Sequence, residues 1–246
     1  MEKDITICIG TVGYPTFGKC FSIANKIAQK DPRVKDLIVI RNKYPTSAWL
    51  NQMRVSCSTT WCLQVDEDMY LYDDAIDELL KLAKTSELNG IKILNASSLL
   101  LDLFLKTNIG SLKLWNTKTF NITEFKDVQG SDRKFALDVS KYGFRNVDIK
   151  KVLGEHDSAP NIEIAYFKYK EYIMKIKNFS SEKRAKSFIK HLEKISNNRK
   201  RDLISKFALE GARAGLKECH DNKTKHYINN LNSDEIINVK KKLGVK

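Results

Sequence analysis

Trp61-Cys-Leu-Gln-Val-Asp-Glu-Asp-Met69 is the stretch that decides the fold. Trp61, Cys62, Leu63 and Val65 make an apolar run of strand length, and Asp66, Glu67 and Asp68 follow at once. A buried strand that ends in carboxylates sets them at the carboxyl edge of a sheet, which is where open α/β sheets bind ligands. Carboxylates at i and i+2 can turn toward one point, whereas strand alternation turns Glu67 away, toward a structural role. Oxygen donors so arranged suit a hard divalent cation, Mg²⁺ or Mn²⁺, with phosphates as further ligands. The plain alternative is a strand followed by a solvated acidic turn, and the flanking chain has to decide between the two.

Upstream, Ile5–Ile9 is a β-branched run that reads as a first strand, ended by the loop Gly10-Thr-Val-Gly-Tyr-Pro15. Phe17, Phe21, Ala24, Ile27 and Ala28 have helical spacing, which predicts a helix over Phe17–Gln29, stopped by Asp31-Pro32. Asp36–Arg41 is a second strand, so the chain opens as an α/β fold with parallel strands. The first loop has neither a GxGxxG nor a GxxxxGK[ST] pattern, which argues against a dinucleotide fold and a P-loop. Thr46 or Ser47 is expected to cap a helix over Ala48–Ser58.

Downstream, Asp73-Asp74 opens an amphipathic helix through Ala75, Ile76, Leu79, Leu80 and Ala83, with acids suited to its positive end. Strands are expected at Ile91–Ala96, Leu99–Leu105 and Ile109–Trp115, with Asn108-Ile-Gly110 as turn material. A helix over Arg133–Tyr142 follows Val128-Gln-Gly-Ser-Asp132, and Val147–Leu153 is a last strand leading to His156. From Ile162 onward the pattern is helical, with candidates Ile162–Lys177, Ser181–Ile195, Arg201–Lys217 and Ser233–Leu243. Two domains are therefore expected, 1–160 and a basic helical extension, 161–246.

The formal net charge of +13 is unevenly placed. Residues 1–160 carry 22 Lys and Arg against 20 Asp and Glu, net +2; residues 161–246 carry 21 against 10, net +11. The basic extension suits an anionic partner or a solvated lysine-rich face. No apolar run approaches the ~20 residues of a membrane span, and the N-terminus lacks a signal-peptide profile. Cys8, Cys20, Cys57, Cys62 and Cys219 are odd in number and show no CxxC spacing, so neither a disulfide framework nor a zinc site is expected. A reducing cytosol is the expected compartment.

In this order the pieces resemble the GT-A glycosyltransferases, in particular the small bacterial family 2-like enzymes that use nucleotide sugars. The resemblance spans roughly residues 4–158 and rests on three landmarks. These are the strand and loop Ile5–Phe17, the Asp66-Glu67-Asp68 triplet followed by Leu71-Tyr-Asp-Asp-Ala75, and Gly130-Ser-Asp132 before a helix ending Tyr142-Gly143-Phe144. His156 stands where many relatives have a metal-binding histidine. Two departures stand out. No acidic residue follows the second strand closely, and Ser131 replaces a frequent Glu.

The resemblance implies a Rossmann-like mixed sheet flanked by helices and a sugar transferase acting on a nucleoside diphosphate donor, UDP-linked in the first instance. Asp68 would hold Mn²⁺ or Mg²⁺, with Asp66 near the ribose or the metal, and His156 as an imidazole ligand. Asp132 would be the general base of an inverting transfer, or an acceptor- or donor-positioning group if configuration is retained; its structural alternative is a helix cap shared with Ser131. Thr11 and Tyr14 are candidates for the nucleotide pocket, or simply loop structure. His191, His220 and His226 read as surface residues. The acceptor would be a saccharide or lipid-linked, in bacterial surface polysaccharide synthesis such as lipopolysaccharide or capsule. Tyr166, Phe167, Tyr169, Tyr172, Ile173, Ile176 and Phe179, interleaved with lysines, suit either packing or peripheral attachment to an anionic inner membrane face. Two other readings stay open. One is a sugar nucleotidyltransferase, which wants a Gly-rich basic loop after the first strand. The other is a non-catalytic nucleic-acid-binding protein, which leaves the acidic landmarks without a role.

Overall fold

The computed structural model describes residues 3–128, 130–199, 202–218 and 234–245. Cys219, His220 and His226 lie outside the described residues, as do Gln129, Arg201 and Ser233. The chain divides into two compact units, Met1–Asp157 and Ser158–Lys246.

The first unit runs β1 (Ile5–Thr11), α1 (Phe17–Lys30), β2 (Val34–Arg41), α2 (Thr46–Ser56), β3 (Trp61–Asp66), β4 (Met69–Leu71), α3 (Ala75–Leu88), β5 (Ile93–Asp102) and β6 (Thr107–Asn116). A 3-10 turn, Thr117–Asn121, then leads to α4 (Ser131–Ser140) and β7 (Arg145–His156). The seven strands form one sheet in the order β2-β1-β3-β6-β5-β7-β4. Strand β1 is parallel to β2 and β3, β5 is parallel to β7, and β6 and β4 run antiparallel to their neighbours.

Alternation along β1 and β3 sorts the core into two faces. Ile5, Ile7, Ile9, Trp61, Leu63 and Val65 pack with Cys20, Ala24 and Ile27 of α1 and with Ile76, Leu79, Leu80 and Ala83 of α3. Cys8 and Cys62 point to the other face, with Leu50 and Met53 of α2, Phe135 and Val139 of α4, and Trp115, Phe120 and Phe125. There Phe125 stacks on Phe135 with ring centroids 4.1 Å apart, and Trp115 meets Phe135 edge-on at 5.6 Å, geometries that aromatic quadrupoles favour.

Three expectations change. The two strands predicted over 91–105 are one strand, β5, running through Ser97 and Ser98. It lies between β6 and β7, so its backbone is paired on both edges and two small hydroxyls do not break it. Asn108 to Gly110 belongs to β6, and the hairpin turns earlier, where Asp102 Oδ1 accepts from Phe104 N at 3.0 Å and Leu105 N at 2.7 Å. A short acidic side chain folding onto its own turn does the work expected of Asn108-Ile-Gly110. The last strand continues past Leu153 to His156, because Gly154 lets it lie against β4: a Cβ there would stand 2.7 Å from the Tyr70 carbonyl oxygen. The caps differ as well. Pro45 precedes α2 and Gly130, at φ 71°, precedes α4; neither Thr46, Ser47, Ser131 nor Asp132 caps its helix with a side chain.

The second unit contains α5 (Ile162–Phe179), α6 (Glu182–Asn198), α7 (Leu203–Lys217) and α8 (Asp234–Leu243). Side chains of Asn161, Ser181 and Asp202 cap the first three by accepting from Ile164 N, Arg184 N and Ile204 N. Helices α5 and α7 touch backbone to backbone: a Cβ on Gly211 would come 2.0 Å from the Tyr166 carbonyl oxygen, and one on Gly215 would come 2.2 Å from that of Lys170. Tyr166, Phe167, Tyr169 and Ile173 are buried in this unit, while Tyr172 and Phe179 stay exposed. No helix among the described residues is long and apolar enough to cross a membrane.

Candidate active site

The β3–β4 corner carries the acidic triplet, and its three carboxylates go three ways. Glu67 turns to the loop after β1. It accepts from Thr11 Oγ1 at 2.5 Å, Val12 N at 3.0 Å, Gly13 N at 3.2 Å and Tyr14 N at 2.8 Å. Three successive backbone donors around one buried carboxylate make an anion nest filled by the protein's own side chain. Gly13 adopts φ 94°, a left-handed conformation that a side chain disfavours and that aims its N–H inward. Thr11 is buried, and its hydroxyl is engaged by Glu67 and by Gly13 N at 3.0 Å.

Asp68 turns the opposite way, toward β7. Its Oδ2 lies 3.3 Å from His156 Nε2, and His156 Nδ1 lies 2.9 Å from Asp102 Oδ2. The sheet register makes this chain of three. Strand β7 lies between β5 and β4, with Asp102 paired to His156 on one side and Met69, next to Asp68, paired to it on the other. Asp157 N donates to the Asp68 carbonyl at 2.8 Å, and Tyr70 Oη donates to Asp157 Oδ2 at 3.1 Å, fixing the strand end. Asp102 is 1% exposed, and its other oxygen is held by the two turn amides. It is thus placed to fix the tautomer of His156 from behind, with Nε2 turned toward Asp68. Sequence reasoning passed over Asp102, which looked only like an interruption in an apolar run.

Asp66, the last residue of β3, shares a face with Cys62 and Gln64. Burial pushes its pKa up to about 6, helped by the charge of Asp68 and opposed by Lys113 and His156. Lys113, opposite Gln64 on β6, is ion-paired with Asp132 in the first turn of α4. That pairing brings Asp132 to the same sheet edge as Asp66. Lys113 is the second functional candidate missed in the sequence, since a lysine inside an alternating strand carries no local signal. One turn along α4, Lys134 bonds Asp138 at 2.8 Å.

Asp66, Asp68, Asp132 and His156 are thus assembled at one edge, with Asp102 and Lys113 between them. Thr11 and Tyr14 border it through Glu67. Asp68 and His156 could offer a cation two donors. The only set of three His, Cys, Asp or Glu donors within 4.8 Å of one another among the described residues is Cys8, Cys57 and Cys62. A cation at the acidic edge would draw further ligands from substrate.

No family model matches the sequence, and no curated protein matches it. Solved structures do resemble it. The mannosyltransferase PcManGT from Pyrobaculum calidifontis, in complex with GDP-Man and Mn²⁺, is 14% identical, with a TM-score of 0.50 over 88% of this chain and 70% of its own. Glucosyl-3-phosphoglycerate synthase from Mycobacterium tuberculosis, in complex with Mg²⁺ and UDP, is 11% identical, with a TM-score of 0.50 over 71% of this chain and 78% of its own. S. aureus TarS 1-349 is 12% identical at a TM-score of 0.48, too loose to carry an argument, and the match spans 66% of that chain. At these identities the likeness establishes the fold: the first unit is an α/β, Rossmann-like mixed sheet flanked by helices, of the GT-A type.

Proposed function

We propose that this chain is a metal-dependent glycosyltransferase of the hexosyltransferase type. It moves a sugar from a nucleoside diphosphate donor, UDP-linked in the first instance, to a saccharide or lipid-linked acceptor, with inversion at the anomeric carbon. One observation carries the reading: on a GT-A sheet, Asp68, His156 and Asp102 form a connected carboxylate–imidazole–carboxylate chain at the edge where such sheets bind ligands.

The donor set fits Mn²⁺ or Mg²⁺. Mn²⁺ accepts mixed oxygen and imidazole ligands, and Mg²⁺ is commonly held by one or two carboxylates plus substrate phosphates. When bound, the cation stabilises the charge that develops on the departing nucleoside diphosphate. Asp68 and His156 Nε2 would hold it, and Asp102 keeps His156 in the tautomer that presents that nitrogen. Asp66 faces the donor ribose beside them. Asp132 takes the proton from the acceptor hydroxyl as the oxygen attacks, and Lys113 holds the Asp132 carboxylate at the mouth of the edge until acceptor arrives. Thr11 and Tyr14, on the loop shaped by Glu67, border the nucleotide base.

The proposal includes a role in bacterial surface polysaccharide synthesis at the inner membrane face; the net charge of +11 over residues 161–246 suits an anionic surface there. Most of the aromatic stripe of α5 is buried within its own unit, so the attachment would be electrostatic rather than inserted. Co-sedimentation with anionic vesicles but not neutral ones is the expected result; equal, negligible binding to both removes the membrane part of the reading.

Donor hydrolysis across UDP- and GDP-sugars, with and without Mn²⁺, tests the activity. Turnover of one donor, dependent on the cation and lost in Asp68→Ala and Asp132→Asn with the circular dichroism unchanged, is expected. No turnover and no cation-dependent thermal stabilisation with any donor would sink it.

A further inference from the structure

Cys8, Cys57 and Cys62 have no motif spacing, yet their sulfurs meet. Cys57 Sγ is 3.6 Å from Cys8 Sγ and 2.7 Å from Cys62 Sγ. Cys8 lies on β1 and Cys62 on β3, both fully buried on the face under α2, while Cys57 ends α2 and is partly exposed. The three come together because β1 and β3 are adjacent and parallel, with Thr6 opposite Cys62 and Cys8 opposite Gln64.

Two chemistries suit clustered thiols: a soft metal ion or a disulfide. Charge decides between them. Three thiolates around Zn²⁺ or Cu⁺ bury a net negative charge, which is costly without a compensating cation. The surrounding cluster is Ile38, Ile40, Leu50, Met53 and Trp115, all apolar or aromatic. The charged side chain whose field reaches Cys8 and Cys57 is Asp36, itself an anion. A disulfide is neutral and adds no charge to that environment.

We propose that Cys57 and Cys62 form a reversible disulfide, made by exchange with a small-molecule disulfide that enters at Cys57. The partly exposed Cys57 thiolate attacks one sulfur of the incoming disulfide, forming a mixed disulfide and expelling one thiolate. Cys62 then loses its proton and attacks Cys57 Sγ, expelling the second. Two protein thiols are oxidised and one disulfide is reduced to two thiols; one released thiolate takes the Cys62 proton and the other takes from solvent the proton that Cys57 had given up on ionising. Hydrogen bonds from Cys62 and Cys8 hold the Cys57 pKa below that of an ordinary thiol, so Cys57 is the readiest of the three to act as the attacking thiolate. Cys8 goes the other way, its pKa raised chiefly by its hydrogen bond to Cys57. The remaining described cysteine, Cys20, is an internal control: burial and the neighbouring Asp68 and Asp66 push it up to about 12. The bond would tie the end of α2 to β3, the strand that carries the acidic corner. This inference stands apart from the proposed transferase activity.

Treating the native full-length protein with oxidised glutathione, then alkylating and mapping peptides by mass, tests it. A Cys57–Cys62 linked peptide that dithiothreitol reverses is expected, with Cys8 and Cys20 remaining alkylatable after unfolding. Cys62→Ser should stop at a Cys57–glutathione adduct, Cys57→Ser should leave Cys62 free, and Cys8→Ser should still form the pair. Wild-type protein in which Cys57 and Cys62 both stay reduced, or link to other cysteines, overturns the proposal without reliance on any variant. So does a stoichiometric zinc or copper content that blocks alkylation until a chelator removes it.

Discussion

On the side of the β3–β4 corner that faces the Thr11–Tyr14 loop, the Glu67 carboxylate is wrapped by four hydrogen bonds from one short segment. On the side that faces β7, the next residue, Asp68, meets an imidazole and has Asp66 as a charged neighbour. Both acids are about equally buried, at 6% exposure, so burial alone does not separate them. Their donors do. Backbone amides and the Thr11 hydroxyl engage the Glu67 carboxylate and leave it little to offer a ligand. Asp68 lies beside a group that is itself a metal ligand and close to a like charge, an arrangement that a cation relieves. A strand end can therefore hold one structural and one functional carboxylate a single residue apart.

Substitutions can break or sharpen that contrast. The largest effect is expected for Asp68→Ala: donor turnover falls about 10²- to 10³-fold, the range seen when one stabiliser of transition-state charge is removed. Mn²⁺-dependent thermal stabilisation disappears with it, while unfolding without metal changes little. Glu67→Ala should do the reverse and cost about 3 kcal/mol of stability by chemical denaturation, since it strands buried amides. If Glu67→Ala left stability intact and abolished turnover, the structural assignment of Glu67 would be wrong. Asp102→Asn keeps an oxygen for the turn amides but presents an amide N–H₂ to His156 Nδ1. Mn²⁺ affinity by calorimetry should fall about 10- to 100-fold, as when other groups that orient a ligating histidine are lost. Gly154→Ala pushes a methyl against the Tyr70 carbonyl and should cost about 1–3 kcal/mol, as overpacking does. Because that contact sets how closely β7 approaches β4, a small drop in metal affinity should accompany it.

Where residues signal through their own neighbours, the sequence was readable. The Trp61–Val65 run, the helical spacing over Phe17 to Ala28 and the Ile162 start of α5 all reappear as elements. Strand alternation turned Glu67 away from its neighbours on paper, but Glu67 and Asp68 lie in the turn between β3 and β4, where their partners set the direction. Strand boundaries in 91–116 were not readable, because Ser97 and Ser98 look like a break until β6 and β7 are known to pair on both sides of them. Asp102 and Lys113 were missed for the same reason. Each gains its role only from a partner, His156 or Asp132, that sequence distance hides. The cysteine cluster was not readable from spacing, which says nothing of sulfurs that arrive on adjacent parallel strands and the end of a helix.

The sequence by itself determined the alternation of strands and helices in the first unit, the helical basic extension, and an acidic triplet at the end of a buried strand. Those depend on periodicity and on short-range chemistry, which the chain carries locally. Only the tertiary structure decided which acid faces which way, that His156 is held between Asp68 and Asp102, that Lys113 holds Asp132, and that three thiols converge. Those depend on strand register and on which elements lie side by side, set by the packing of the whole sheet.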